Sequence, residues 1–392
     1  MAERSIYLDH AATTPVDPQV VAAMLPYFSA HFGNPSSIHR AGRAALEALD
    51  DARELFARVL GASRKEIIFT GGGSEADNLA IKGVALAQRQ AGKGAHIITS
   101  AIEHHAVLHA CEYLEAFGFE VTRLPVDAAG LIGPADLRAA LRPDTVLVSL
   151  MYANNEIGTI QPLAALGAIC RAQGVPLHTD AVQAAGSLSL NVDALQVDLL
   201  TLAAHKFYGP KGVGALYVRH GTPLLPQING GGQERRRRAG TENVAGIVGM
   251  AAALRLAEER REAYAAHCAG LRDRLIAGVL AQVPHASLNG DSARRLPNNA
   301  NIAFEFVEGE SVLLLLDQHG IAASSGSACS SGSLEASHVL QALGVPYERA
   351  IGSVRFTIGQ STTADDIDFV LATLPDLIEQ LRSVSPAYRN AA

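Results

Sequence analysis

Short, almost continuously apolar runs alternate with helical patterns through the first two thirds of the chain, and this alternation limits the fold more than any other feature. The runs are EIIFT (Glu66–Thr70), HIITS (His96–Ser100), TVLVSLM (Thr145–Met151), VPLHTD (Val175–Asp180), VDLLTLA (Val197–Ala203) and VGALYV (Val213–Val218). Between them lie helix-like stretches such as EADNLAIKGVALAQRQAG and PLAALGAICRAQG. A strand with no polar face needs cover on both sides, so the pattern predicts an α/β fold with a mainly parallel sheet between helical layers. After Gly230–Gly232 the pattern changes. About forty residues from Asn243 to Val283 keep helical periodicity without a strong breaker, which predicts one long helix connecting two domains. A second alternation follows, with strands in NIAFEFV, IAASS and SVRFTIG and helices in ESVLLLLDQHG, EASHVLQALG and from Ala364 onward. The expected partition is a large domain over residues 15–260 and a smaller α/β domain built from residues 1–14 and 261–392.

Composition removes several classes of function. The chain has 392 residues, 48% hydrophobic and 18% charged, with a formal net charge of −7. That is globular composition, and an acidic balance of this size argues against nucleic acid or an anionic membrane as partner. The run RRRR at Arg235–Arg238 lacks interleaved aromatics and does not change that reading. The opening MAERSIYLDH carries charge where a signal peptide needs an apolar core, and VLLLL at Val312–Leu316 is far too short to span a bilayer, so a cytoplasmic protein is expected. Four cysteines, Cys111, Cys170, Cys268 and Cys329, are widely spread and form no C-x-x-C pair, which argues against structural zinc or a disulfide framework. Three of them stand in apolar or helical contexts and read as small buried hydrophobes. Cys329, in SSGSACSSGS, does not.

Ligands of open parallel sheets collect beyond the carboxyl ends of the strands. After EIIFT comes GGGSEADN, where Gly71–Gly73 permit close backbone approach to a phosphate and Ser74 offers a cap or a hydroxyl. Alone this reads more readily as an ordinary glycine-rich turn with an N-cap, and no Gly-Lys-Ser/Thr follows to make it a P-loop. After HIITS come His104 and His105, with no third ligand at zinc spacing. Asn154 and Asn155 follow TVLVSLM, Asp180 and Gln183 follow VPLHT, and His205-Lys206 follow VDLLTLA. One chemistry asks for all of these. A lysine that forms a Schiff base with an aldehyde cofactor, an aspartate that pairs with a pyridinium nitrogen, a glycine-rich helix start for a phosphate and an imidazole to stack on a ring together suggest pyridoxal 5′-phosphate.

The stretches YLDHAATTPVD, FGNPSSIHRAG, EHHAVL, ANNEIGTIQP, HTDAVQAAG, AHKFYGPKGVGALYV, GGGQERRRRAGTEN, VEGES and SSGSACSSGSLEASHVL occur in an order that resembles the cysteine desulfurases, class V members of the type I pyridoxal-phosphate enzymes. The likeness covers essentially the whole chain. The runs QERRRRAGTENVAGIVG and LPNNANIAFEFVEGESVLLLL look most like the nitrogen-fixation, NifS-type branch. The resemblance implies the aspartate aminotransferase-like fold, with a seven-stranded sheet, and a homodimer with shared active sites. It implies that Lys206 carries the cofactor, Asp180 pairs with its ring nitrogen, Gln183 bonds its ring hydroxyl and His104 stacks on the ring and relays protons. Gly73, Ser74 and His205 would hold the phosphate, with Thr241 arriving from the other subunit. Asn34, Asn155 and Arg355 would clamp the substrate carboxylate, a task suited to a planar guanidinium.

Position 203 departs from the family pattern. Relatives often carry a hydroxyl or thiol there, and Ala203 removes that contact to the phosphate. For Cys329 the resemblance implies attack on the sulfur of bound L-cysteine, leaving alanine and a persulfide, on a loop whose serines and glycines supply the movement needed to reach an acceptor. That acceptor is expected to be an iron–sulfur scaffold or another sulfur-accepting protein, and Cys329 is also a candidate transient ligand of an iron–sulfur cluster. Selenocysteine lyase and cysteine sulfinate desulfinase share the scaffold and stay open as alternatives. A non-catalytic scaffold protein is opposed by the intact Lys206, Asp180 and Cys329.

Overall fold

The computed structural model describes residues 5–325 and 336–391. Its twelve strands are β1 (Ile6–Tyr7), β2 (Ile67–Thr70), β3 (His96–Ser100), β4 (Glu120–Leu124), β5 (Thr145–Ser149), β6 (Leu177–Asp180), β7 (Leu199–Ala203), β8 (Gly214–Val218), β9 (Ala286–Leu288), β10 (Asn299–Phe304), β11 (Ile321–Ala322) and β12 (Ser353–Thr357). Seven of them form one sheet in the order β2-β8-β7-β6-β5-β3-β4. Only β8 opposes the rest, pairing antiparallel with both β7 and β2. The ten residues between β7 and β8 leave no room for a crossover helix, so the chain turns back instead.

The apolar runs feed two cores, one on each face. In β2, Ile67 and Phe69 enter one core and Ile68 the other; in β7, Leu200 and Leu202 face away from Leu199. The strand β4 was not expected from its sequence. It lies at the sheet edge and carries Glu120 and Arg123, charges that discourage edge-to-edge pairing and erase the apolar signature.

The long helix Val244–Gln282 runs for 39 residues, about 60 Å at 1.5 Å per residue. Its first half gives Ile247, Met250 and Leu254 to a core of the large sheet. Its second half gives Cys268, Leu275 and Val279 to a separate core, shared with Ile367, Val370 and Leu374 of the helix Ala364–Val384. That core packs on an antiparallel sheet in the order β12-β10-β9. The strand expected in IAASS shortens to β11, which pairs in parallel with β1. The start of the chain is thereby stitched to the small domain. Among the described residues no helix is long and apolar enough to cross a membrane.

Candidate functional site

Beyond the carboxyl ends of β2, β3, β5, β6 and β7 lies a cavity of about 310 Å³. Gly73, Ser74, His104, Asn155, Asp180, Gln183, Ala203, His205, Lys206 and Arg355 all line it. Asn34 and Thr241 do not; both are exposed on the surface of the chain. Cys329 lies outside the described residues.

Lys206 ends the short 3-10 turn Ala204–Lys206 that follows β7. Its Nζ donates to the carbonyls of Ala11 at 2.6 Å and Ala12 at 2.8 Å, and Gln183 Nε2 donates to the same Ala11 carbonyl at 3.0 Å. The His205 ring meets Thr13 Oγ1 at 3.2 Å, and Thr14 N–H donates to the His205 carbonyl. The N-terminal segment therefore braces the lysine and the histidine from outside the sheet. Burial pushes the His205 pKa down to about 4, so the ring is neutral near pH 7.

Asp180, the last residue of β6, is buried, with Oδ1 accepting from Val182 N–H at 2.9 Å. Burial raises its pKa, while the His104 and Lys206 charges act the other way. His104 is the N-cap of the helix His105–Glu115, where Nδ1 accepts from Ala106 N–H at 3.1 Å. Its neutral ring consequently carries the proton on Nε2. Burial lowers the His104 pKa.

The helix Gly73–Gln90 begins without any side-chain cap, so its first amides are left for another acceptor. A Cβ on Gly73 would stand 3.1 Å from Val182 Cγ2, tighter than ordinary contact, and 3.4 Å from the Ala203 methyl. On the opposite wall Arg355 Nη1 donates to the Asn155 carbonyl at 2.9 Å, and Nη2 meets Asp9 Oδ1 at 2.8 Å.

A model of the Aminotransferase class-V family matches residues 6–370. The chain is 54% identical over 384 residues to the cysteine desulfurase IscS of Dictyoglomus turgidum, covering 98% of this chain and 97% of that one. The chain belongs to the cysteine desulfurases of the class-V aminotransferase family. Among solved structures, a NifS-like protein superposes on this desulfurase with a TM-score of 0.90 at 37% identity, covering 96% of this chain and all of that one. SspA in complex with cysteine superposes at 0.81 and 37% identity, covering 92% of this chain and 100% of the other.

Membership in the family implies pyridoxal 5′-phosphate, and the cavity fits that group. It offers a buried carboxylate, a lysine amine, an imidazole and an uncapped helix start, the four needs of a pyridine ring that bears an aldehyde and a phosphate. When bound, the cofactor supplies an electron sink for charge developing on the substrate's carbon. Among the described residues no group of three or more His, Cys, Asp or Glu side chains is placed to hold a metal ion.

Sequence reasoning missed the buried acids of this site. Asp77, Glu103 and Glu156 all line the cavity and are buried. Glu103 Oε1 accepts from Ser100 Oγ at 2.6 Å and from Met151 N–H at 2.9 Å. Glu156 holds Ser337 Oγ, and the Glu103 carbonyl meets His338 Nε2 at 3.0 Å. The one available signal was a carboxylate placed just past the end of an apolar strand, beside His104.

Burial moves the Glu103 pKa up to about 8, outweighing its bonds to Ser100 and Met151. The folded protein then keeps a proton that the unfolded chain releases near pH 4.5, so this group costs stability progressively as pH rises from there toward 8. Glu103→Gln is expected to flatten that part of the pH–stability profile, by a few kcal/mol at the alkaline end. Denaturant unfolding at pH 5 and pH 8 checks it. An unchanged profile would show an ionised Glu103.

Proposed function

We propose that this desulfurase binds L-cysteine in the cavity above Lys206, moves its sulfur to Cys329 as a persulfide and passes that sulfur to an iron–sulfur scaffold protein. Arg355 and Asn155, which line the cavity, hold the substrate carboxylate; Asn34, exposed outside its own chain's cavity, joins the clamp only by closing onto it or by reaching the partner's site. Lys206 holds the cofactor, Asp180 faces its ring nitrogen, Gln183 its ring hydroxyl, and Gly73, Ser74 and His205 its phosphate beside the Ala203 methyl. The Cys329 thiolate attacks the substrate sulfur, an S–S bond forms and the Cβ–S bond breaks. The electron pair stays with carbon, which takes a proton to give alanine, and His104 Nε2 is the proton carrier this reading assigns. The observation that carries this reading is the convergence of Lys206, Asp180, His104 and the uncapped Gly73 helix on one cavity. A structural relative that holds cysteine supports the choice of substrate.

The test is release of alanine and sulfide from L-cysteine, with and without scaffold proteins. Alanine formed without any need for the Cys329 thiol would favour selenocysteine lyase or cysteine sulfinate desulfinase instead. The NifS-type runs make nitrogen fixation the narrower reading of the sulfur's destination, and stimulation by a nitrogen-fixation scaffold above a general one is its measure. We place the domain boundaries at residues 15 and 260, a division supported by the two separate cores.

A homodimer with shared sites belongs to the same reading. Leu25, Phe28, Phe32 and Ile38 are exposed in succession on the N-terminal helices and the loop beyond them, and Ile38 is 91% exposed. Apolar side chains so placed suit a subunit contact. Thr241, outside its own cavity, is available to the partner's. Mixing equal amounts of Lys206→Ala and Thr241→Ala proteins then leaves one intact site in each heterodimer, and activity is expected to recover to about a quarter of wild type. No recovery after subunit exchange, or an active monomer on sedimentation, counts against it.

A further inference from the structure

The segment that carries Thr241 is held in a demanding conformation. Glu234, Arg235 and Arg236 have φ of 46°, 56° and 65°, three consecutive non-glycine residues in the left-handed region. Each such residue is disfavoured by its Cβ, so the surroundings must enforce the turn. They do so at two points. Glu234 is buried and grips Arg53 through both carboxylate oxygens, at 2.7 and 2.5 Å, while accepting from Phe69 N–H at 3.1 Å. Arg53 Nη1 also donates to the Ile67 carbonyl at 2.9 Å, so the turn is fastened along β2.

The second point lies at the phosphate loop. Arg238 Nε donates to Glu75 Oε1 at 2.8 Å, and Glu75 Oε2 accepts from Gly71 N–H at 2.8 Å. Glu75 is the third residue of the uncapped helix that begins at Gly73. One carboxylate thus ties the glycine loop of a subunit to the arginine turn leading to its Thr241. Only Ala239 and Gly240 separate Arg238 from Thr241, too few for the chain to forget where Arg238 is held.

We propose that Glu75 and Arg238 couple the two cofactor sites of the dimer, each subunit's phosphate loop setting, through this ion pair, the position of the Thr241 that serves its partner. The inference rests on the reading that Thr241 reaches across the dimer. Glu75 does not line the cavity and is a positioning residue, acting on the partner's site only through Arg238. Tightening of the loop around one phosphate then favours binding of the second.

The test uses heterodimers purified through two different affinity tags. One subunit is wild type. The other carries Lys206→Ala, so that only the wild-type subunit fixes cofactor on borohydride reduction. Fixed cofactor per dimer is titrated against pyridoxal phosphate, first with no further change, then with Glu75→Gln or Thr241→Ala in the Lys206→Ala subunit. Glutamine keeps the shape and the Gly71 contact, and the Glu75–Arg238 pair is partly exposed, so the fold is preserved. The expected result is a rise of at least about threefold in the half-saturating cofactor concentration for both variants, at a site whose Lys206-bearing subunit is wild type. If Thr241→Ala raises it and Glu75→Gln does not, the coupling is overturned while the shared site stands. If neither does, the shared site falls and takes the coupling with it.

Discussion

Serine in place of Cys329 is expected to reduce sulfide release from L-cysteine to background while the protein folds, binds its cofactor and still takes up substrate. The reasoning separates two duties. On the proposed reading, cofactor attachment belongs to Lys206, Asp180 and the Gly73 helix start, which line one cavity, and sulfur transfer belongs to Cys329. Sulfur transfer needs a thiolate, and a hydroxyl, far harder to ionise than a thiol with pKa about 8.5, cannot replace it. Persulfide should vanish from the protein as judged by mass spectrometry, and the absorption change on adding L-cysteine should persist. The other three cysteines make good controls. Cys111, Cys170 and Cys268 are buried, and burial pushes each thiol up to about 12. Their alanine variants should keep turnover, at a packing cost of about 1–2 kcal/mol each. Near-normal sulfide release from Cys329→Ser would overturn the mechanism, because sulfur would then leave by direct elimination.

Lys206→Ala is expected to remove covalent cofactor altogether and to lower alanine formation by at least about 10³-fold. The amine sits on a turn directly after a buried strand and donates to the carbonyls of Ala11 and Ala12, the first of which also accepts from Gln183, and among the described residues no other lysine lines the cavity. Borohydride reduction of the wild-type holoenzyme followed by peptide mapping should place the label on Lys206. Label on Lys82 or Lys211 would sink the assignment. The variant should remain folded, since Lys206 belongs to neither apolar core.

The parts of the fold that could be read from the residues are those where burial is complete. Strands β2, β3, β5, β6 and β7 are buried at every residue, and the runs that hold them are rich enough in apolar side chains to announce them. Strand β4 has one exposed edge and is written in mixed residues, so its signal is weak. The reversed direction of β8 and the antiparallel small sheet depend on which strands meet, which no local pattern encodes. The site divides along the same line. Asp180, Lys206 and His104 stand at strand ends, where position alone suggests chemistry. Glu103, Glu156 and Asp77 look like ordinary surface acids until the structure buries them. The carbonyls of Ala11 and Ala12 have no side-chain signature at all. Arg53 and Glu234 are 181 residues apart, and their pairing is legible only in three dimensions.

The pairing of β1 with β11 also dictates when the site can form during synthesis. Ile6 and Tyr7 are made more than 300 residues before their partners Ile321 and Ala322. At about 5–20 residues per second a ribosome needs roughly 15–60 seconds to cover that interval. Throughout it the large sheet can assemble, but the segment Ala11–Thr14 that braces Lys206 and His205 has no anchor upstream. The nascent chain therefore carries an unfinished lysine pocket and an unpaired β1 until the small domain emerges and draws that strand into place.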